Sequence, residues 1–152
     1  MELSETIREA LETQVLEHEP TQAALVVRRG VETAGVSDMA GALLDAAAIA
    51  LRMMVAETDE AFDQRELLER LAMDGAVAPE SLDVLGSMLV LAAATAGGIR
   101  PSVDAVLADL GPERTMFGAW LTVLTAIRVV AISLDRTEAD VVEEVVTALS
   151  AT

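Results

Sequence analysis

Apolar residues recur along most of this chain at the three- and four-residue spacing that places them on one face of an α-helix. No stretch alternates between apolar and polar residues for long enough to predict a β-strand. Proline, glycine and short acidic links divide the pattern into seven or eight predicted helices, over residues 3–18, 22–33, 38–57, 64–73, 79–96, 101–110, 113–134 and 137–149. The pattern therefore predicts an all-α helical bundle.

Residues at the helix ends support this division. Thr21, Ser37 and Thr137 each precede a predicted helix, where a hydroxyl oxygen can accept a hydrogen bond from a free amide of the first turn. Pro20 is expected to end the first helix, and Gly35 to close the second. Within the second helix, four aliphatic residues are expected to face the protein interior: Leu25, Val26, Val27 and Val31.

The most apolar part of the chain is residues 115–134, in which twenty consecutive residues include one formal charge, at Arg128. A helix that is apolar around most of its circumference is typical of a position surrounded by other helices. We therefore expect this helix to form the centre of the core. Trp120, the only tryptophan of the chain, is predicted to anchor that core.

The length of 152 residues is that of one domain. Residues 1–36 are predicted to form a lead-in helical hairpin, and residues 37–152 a core in which three long apolar helices are each followed by a shorter amphipathic one. The long helices align weakly on segments that begin at Gly41, Gly86 and Gly118. Ala-rich helices align this well by chance as readily as through a true repeat, so both explanations stay open.

Composition limits the kinds of partner. The chain has 26 acidic residues and 10 basic ones, so that its net charge is −16. A charge of this sign disfavours binding to phosphate backbones and attracts a basic protein patch, and we therefore expect no nucleic-acid partner. All the basic residues are arginine, and lysine, asparagine and tyrosine are absent. This usage indicates a high-GC bacterial genome, although a salt-adapted proteome gives a similar pattern.

Residues 115–134 have the length of a membrane-spanning helix, which needs about 20 apolar residues. Arg128 argues against a span, because an arginine near the middle of a membrane helix costs about 2.5–3.5 kcal/mol on insertion scales. The N-terminal residues include several acids and no apolar core of a secretory signal. The sequence therefore predicts a cytoplasmic protein.

Few residues are suited to catalysis or metal binding. The absence of cysteine excludes disulfides, thiolate metal sites and a cysteine nucleophile. His18, the only histidine, is predicted to lie at the C-terminal end of the first helix, where an imidazolium interacts favourably with the helix dipole. The acidic run over residues 57–63 lacks the ligand spacing of a calcium loop. We therefore predict no catalytic, metal-binding or cofactor-binding residue, and a protein that is not an enzyme.

Asp45, Arg52 and Arg128 are the most informative polar positions, because they interrupt helices that are otherwise nearly all apolar. Such charges must reach solvent or find partners. An ion pair between Asp45 and Arg128 across two buried helices is one interpretation. Exposure along a narrow stripe and burial at an oligomer interface are the other two.

Three functions fit these observations. The leading hypothesis is a non-enzymatic interaction module, either a homo-oligomer or an adaptor for a protein with a basic patch, because the apolar helices exceed what the short helices can cover. An alternative is a bundle that encloses a small apolar ligand or lipid, with Arg52 or Arg128 meeting a carboxylate. A third is an acidic mimic that blocks a basic nucleic-acid-binding cleft.

Overall fold

The computed structural model of the protein describes residues 3–58, 88, 90–92, 94–98 and 103–151. The helices with defined bounds are α1 (Leu3–Val15), α2 (Pro20–Ala34), α3 (Val36–Thr58), α4 (Val103–Leu110), α5 (Pro112–Ser133) and α6 (Glu138–Ser150). A further helical segment, here called the 88–96 segment, comprises the described residues between 88 and 96 and is followed by a turn at Gly97 and Gly98. The described ranges are helical with no strand, which confirms the predicted all-α bundle. The predicted helix over residues 64–73 and the acidic run before it lie outside the described residues, apart from the end of α3.

Helix α3 occupies the centre of the bundle. It contacts α1, α2, α4, α5 and α6. Its buried side chains cover rather more than half of the circumference: Met39, Ala40, Leu43, Leu44, Ala46, Ala47, Ala48, Ala50, Leu51 and Met54. The remaining side of the helix, which includes Asp45 and Arg52, is half-buried or exposed. The many alanines allow neighbouring backbones to approach closely, because the distance between packed helices depends on the side chains at their contact. The expectation that residues 115–134 form the centre of the core is therefore wrong.

Helix α5 packs one face against α3, in the most extensive helix–helix contact among the described residues. The buried residues of that face are mostly small: Thr115, Gly118, Ala119, Thr122, Val123, Thr125, Ala126, Ile127, Val130 and Ala131. The buried hydroxyls of Thr115 and Thr122 each donate a hydrogen bond of 2.7 Å to the carbonyl four residues earlier. The opposite face of α5 is exposed or half-buried, so this helix lies at the side of the bundle.

Helices α1, α2 and α6 complete the packing around α3. Helix α1 contacts both α2 and α6 and buries Ile7 and Leu11. Gly30 permits a close approach of α2 to its neighbours, since an added Cβ atom would lie 3.0 Å from both Met39 Sδ and Thr6 Cγ2. Helix α2 therefore lies directly against both α1 and α3 at this position.

Helix α1 ends at Val15 instead of residue 18. The N–H groups of Leu16 and Glu17 both donate to the carbonyl of Glu12, and His18 adopts a φ of +56°. A residue in the left-handed region does not continue a right-handed helix. His18 is thus an exposed residue beyond the helix end, and the prediction that it lies in the last turn is wrong.

The link from α2 to α3 also differs from the prediction. Helix α2 begins at Pro20, whose fixed φ suits the first position of a helix, so Thr21 is not its N-cap. Gly35 closes α2 as predicted, with a φ of +93° that favours glycine. Ser37 lies inside the first turn of α3 and donates a hydrogen bond of 2.8 Å to Asp104 Oδ1 on α4. Its predicted role as an N-cap is therefore wrong.

The remaining local predictions concern α6 and the inward face of α2. Thr137 is the N-cap of α6, and its hydroxyl oxygen accepts a hydrogen bond of 3.1 Å from the N–H of Asp140, which confirms the predicted capping pattern. Val26 and Val27 are buried as expected, whereas Leu25 is 46% exposed. The inward face of α2 therefore excludes Leu25.

We expect the substitution Leu43→Ala to lower the free energy of unfolding by about 2–5 kcal/mol, because it removes a fully buried side chain from the central helix. Leu25→Ala is the matched control, since the same atoms are removed from a side chain that is 46% exposed, and its loss should stay below about 1 kcal/mol. Urea unfolding followed by circular dichroism measures both. Equal losses would contradict the central position of α3.

Candidate functional site

The outward face of α5 is apolar along most of its length. Five residues share this face, and together they are called the α5 stripe: Phe117, Leu121, Leu124, Arg128 and Ile132. Their spacing places them within about 80° of one another around a helix with 3.6 residues per turn. Phe117 is 51% exposed and Ile132 72% exposed, while Leu121 and Leu124 are half-buried. Scattered exposed apolar residues are normal on protein surfaces, but a series on one helix face forms a continuous apolar strip.

An open groove lies beside this strip, between α2 and α5. Its volume is about 450 Å³. The side chains that line it are mainly apolar and include Val27, Val31, Val36, Met116, Phe117 and Trp120. Arg28 and Glu113 are its charged lining residues. Phe117 therefore belongs both to the groove and to the α5 stripe.

Trp120 is half-buried in the wall of this groove and packs against the edge of the core. The sequence predicted a core anchor, and the structure places the indole at the boundary between the core and the surface. Its position makes Trp120 a fluorescent reporter of anything that binds beside α5.

The α5 surface carries little charge in a strongly acidic protein. Helix α5 contains Glu113, Arg114 and Arg128, a net charge of +1 in a chain whose net charge is −16. Within the described residues, α1 and α6 together carry seven exposed or half-buried acids: Glu5, Glu9, Glu12, Glu138, Asp140, Glu143 and Glu144. Among the described helices, the α5 stripe is therefore a surface where another acidic molecule would meet comparatively little repulsion.

Arg52 binds the end of a neighbouring helix. Its Nε donates a hydrogen bond of 3.2 Å to the carbonyl of Ala96, and its Nη2 one of 2.9 Å to that of Thr95. Carbonyl groups in the last turn of a helix lack partners within the helix, and a cation there also interacts favourably with the helix dipole. Arg52 thus connects α3 to the C-terminal end of the 88–96 segment, although the residue is exposed.

Arg128 and Asp45 are not brought together. Arg128 lies on the outward face of α5, where its side chain is 67% exposed and its Nε is 3.9 Å from Glu138 Oε1. Helix α3, which carries Asp45, contacts the opposite face of α5. Asp45 is half-buried and forms no ion pair within the part of the chain that the structure describes. Of the three interpretations given to these charges, the buried cross-helix pair is therefore not the one observed.

Surface ion pairs connect the outer helices. Arg8 on α1 lies 3.6 Å from Glu143 on α6, and Arg29 on α2 lies 3.0 Å from Glu9 on α1. Such exposed pairs each contribute about 0–1 kcal/mol. They therefore connect α1 to its two neighbours α2 and α6 without adding much to stability.

No group of three or more histidine or acidic side chains within the described ranges is arranged to hold a metal ion. Helix α5 is long and apolar enough to cross a membrane, and it alone meets that criterion among the residues described, with 56% of its most apolar window buried. The core helix of a soluble protein meets the same criterion, so the finding is weak evidence for a span.

The sequence interpretation missed the outward face of α5 because it treated residues 115–134 as apolar on all sides. The signal that would have found it is side-chain size. Gly118, Ala119 and Thr122 lie toward α3, whereas Phe117, Trp120 and Leu121 lie away from it or at its edge. Small residues on one face favour close helix packing there, and the large residues are then left for the other face.

No protein-family model, curated protein or solved structure matches this chain.

We expect Arg52→Met to lower the free energy of unfolding by about 0.5–1.5 kcal/mol, because two carbonyl groups at the end of the 88–96 segment each lose a hydrogen bond from the guanidinium. The expected loss of stability is small because water can replace the guanidinium at an exposed site. Arg128→Met is the matched control, since its contact with Glu138 is long and exposed, and it should change stability by less than about 0.5 kcal/mol. Urea unfolding of both variants tests this. Equal effects would show that Arg52 does not stabilise the contact between these helices.

Proposed function

We propose that this protein is a non-enzymatic helical module that acts through association, either with a second copy or with another protein, and that the α5 stripe is its contact surface. The observation that carries the proposal is the exposure of Phe117 and Ile132 on the outward face of the most apolar helix. Burial of apolar surface contributes about 25 cal/mol per Å², so covering this face with another apolar surface is favourable.

The composition of the strip is suited to a protein partner. Aromatic side chains at the centre of a contact contribute a large share of protein–protein binding energy, and Phe117 and Trp120 are close neighbours on this side of α5. The strip contains few charges that would have to be desolvated. The rest of the molecule is acidic, which keeps the chain soluble in spite of an apolar strip.

The net charge of −16 affects the two kinds of partner in opposite ways. Association of two copies is opposed by long-range repulsion, which added salt screens. Association with a basic protein is favoured by long-range attraction, which added salt also screens. The sign of the salt dependence therefore identifies the kind of partner.

We expect the wild-type chain to self-associate in light scattering on a sizing column, more strongly at high salt than at low salt, and Phe117→Glu to be monomeric under the same conditions. The substitution places a charge in the apolar strip at a residue that is already 51% exposed, so the fold should be retained. Leu25→Glu is the matched control, because Leu25 is 46% exposed on α2 outside the strip. Circular dichroism checks that both variants are folded.

If the wild-type chain stays monomeric at both salt concentrations, self-association is excluded as its function. If Phe117→Ala, which leaves the charge unchanged, also leaves the binding of a basic amphipathic peptide unchanged, the whole proposal fails.

The groove between α2 and α5 favours a second candidate function, the binding of a small apolar or amphipathic ligand. Its volume of about 450 Å³ lies within the usual range of about 300–1,000 Å³ for ligand pockets. Arg28 in its lining can pair with a carboxylate. The sequence analysis assigned such a role to Arg52 or Arg128, but Arg52 binds carbonyl groups and Arg128 lies outside the groove lining.

For this second function, we expect decanoate to change the fluorescence of Trp120 with saturation, and Arg28→Gln to weaken that binding about tenfold through loss of the ion pair. Arg29→Gln is the matched control, because the neighbouring Arg29 pairs with Glu9 and does not line the groove. A titration without saturation, or an equal response of both variants, would contradict ligand binding in the groove.

A further inference from the structure

The two walls of the groove between α2 and α5 have the same residue spacing. Each helix contributes four side chains at positions i, i+3, i+4 and i+7, which lie on one helix face. The α2 wall consists of Ala24, Val27, Arg28 and Val31, and the α5 wall of Glu113, Met116, Phe117 and Trp120. The α2 wall is thus aliphatic with one cation, whereas the α5 wall contains two aromatic rings and one anion.

The two charged residues of the groove do not neutralise each other. Arg28 and Glu113 are exposed, and within the described ranges neither forms an ion pair with the other or with a third residue. Arg29, the neighbour of Arg28, instead pairs with Glu9 outside the groove. A molecule that enters the groove therefore meets a cation on one wall and an anion on the other.

We infer that the groove binds an apolar zwitterion, a compound with a carboxylate and an ammonium group on one apolar body. A free apolar amino acid and a short apolar peptide with free ends both have this chemistry. The inference rests on the second function proposed above, because it names the class of ligand for the same groove. Arg28 donates hydrogen bonds to the carboxylate, and Glu113 accepts them from the ammonium group. The apolar body lies against Val27, Met116 and Trp120.

Charge complementarity favours a zwitterion over a ligand with a single charge. A fatty acid pairs with Arg28, but it brings a second negative charge or an apolar chain toward Glu113. A simple amine pairs with Glu113 and has the corresponding disadvantage at Arg28. A ligand that covers a charged group without pairing with it loses affinity, because that group gives up water for nothing. Only a ligand with both charges is complementary to both walls.

The aromatic residues indicate how the ligand is oriented. Phe117 and Trp120 follow Glu113 by four and seven residues on the same face of α5. An ammonium group is attracted to the face of an aromatic ring within about 6 Å of its centre. The α2 wall has no ring. The ammonium group is therefore held on the α5 side by both the carboxylate and the rings, and the carboxylate of the ligand lies toward α2.

The exposure of the groove sets the expected affinity. Ion pairs at exposed sites are weak, because water competes for both partners. The apolar body therefore supplies most of the affinity, and the two charges determine which apolar compounds bind. We expect a dissociation constant on the order of 1 mM for a peptide of two leucines. Free leucine should bind more weakly, because it buries less apolar surface.

Titration with leucyl-leucine tests the inference directly. Trp120 is the only tryptophan of the chain and tyrosine is absent, so its fluorescence reports on the groove. We expect leucyl-leucine to change this fluorescence with saturation. Acetylation of its amino group removes the positive charge, and amidation of its carboxyl group removes the negative one. Each modification should weaken binding about fivefold. Free leucine, titrated in parallel, distinguishes an amino acid from a peptide as the better ligand.

Substitutions in the full-length protein assign each ligand charge to its partner. Glu113→Gln should weaken the binding of leucyl-leucine about fivefold and leave the acetylated peptide unaffected, because that peptide has no ammonium group to lose. Arg28→Gln should do the same for leucyl-leucine and leave the amidated peptide unaffected. Glu5→Gln and Arg29→Gln are the matched controls, since both residues are exposed and lie outside the groove lining. Circular dichroism checks that all four variants are folded.

The outcomes separate this inference from the second proposed function. If decanoate saturates in a way that depends on Arg28, and leucyl-leucine binds no more tightly than its acetylated form, the zwitterion is excluded while ligand binding in the groove stands. Equal weakening in Glu113→Gln and Glu5→Gln would also overturn the inference. If neither decanoate nor leucyl-leucine saturates, both proposals fail. Saturation by leucyl-leucine that requires Arg28 and Glu113 would confirm the inference.

Discussion

The central position of α3 is the constraint on which the other helices depend. Five neighbouring helices contact it, and they can do so only if the side chains between them are short. Alanines along α3, Gly30 on α2 and Gly118 on α5 meet that requirement. The stability of a core built from small side chains comes from many close contacts, each of which contributes little.

The same constraint explains where the large apolar residues lie. Helix α5 directs its small residues toward α3, and its phenylalanine and two leucines of the stripe therefore face outward. Charged residues are also divided between α5 and the other outer helices. Ion pairs between α1, α2 and α6 use arginines to offset acids on those helices, whereas α5 has few charges to offset. The apolar strip and the acidic surface are thus two consequences of one packing arrangement.

Local signals in the sequence predicted the fold class and several helix ends correctly. Gly35 and Thr137 act within one turn of the chain, so their roles can be recognised from neighbouring residues alone. The central helix, the partner of Arg52 and the hydrogen bond from Ser37 could not be found in this way, because they depend on residues 43 to 67 positions away. Hydrophobic periodicity measures how apolar a helix is, and it does not specify which of two apolar helices lies at the centre.

The groove and the α5 stripe are physically connected, so their two proposed occupants would not be independent. Phe117 belongs to both, and Trp120 lies in the groove wall. A ligand that moves the Phe117 ring changes the surface that a second copy would contact. If ligand binding changes the affinity of the dimer by some factor, dimer formation must change the affinity for the ligand by the same factor. Ligand binding in the groove would then regulate association through the α5 stripe, because both involve the same side of α5.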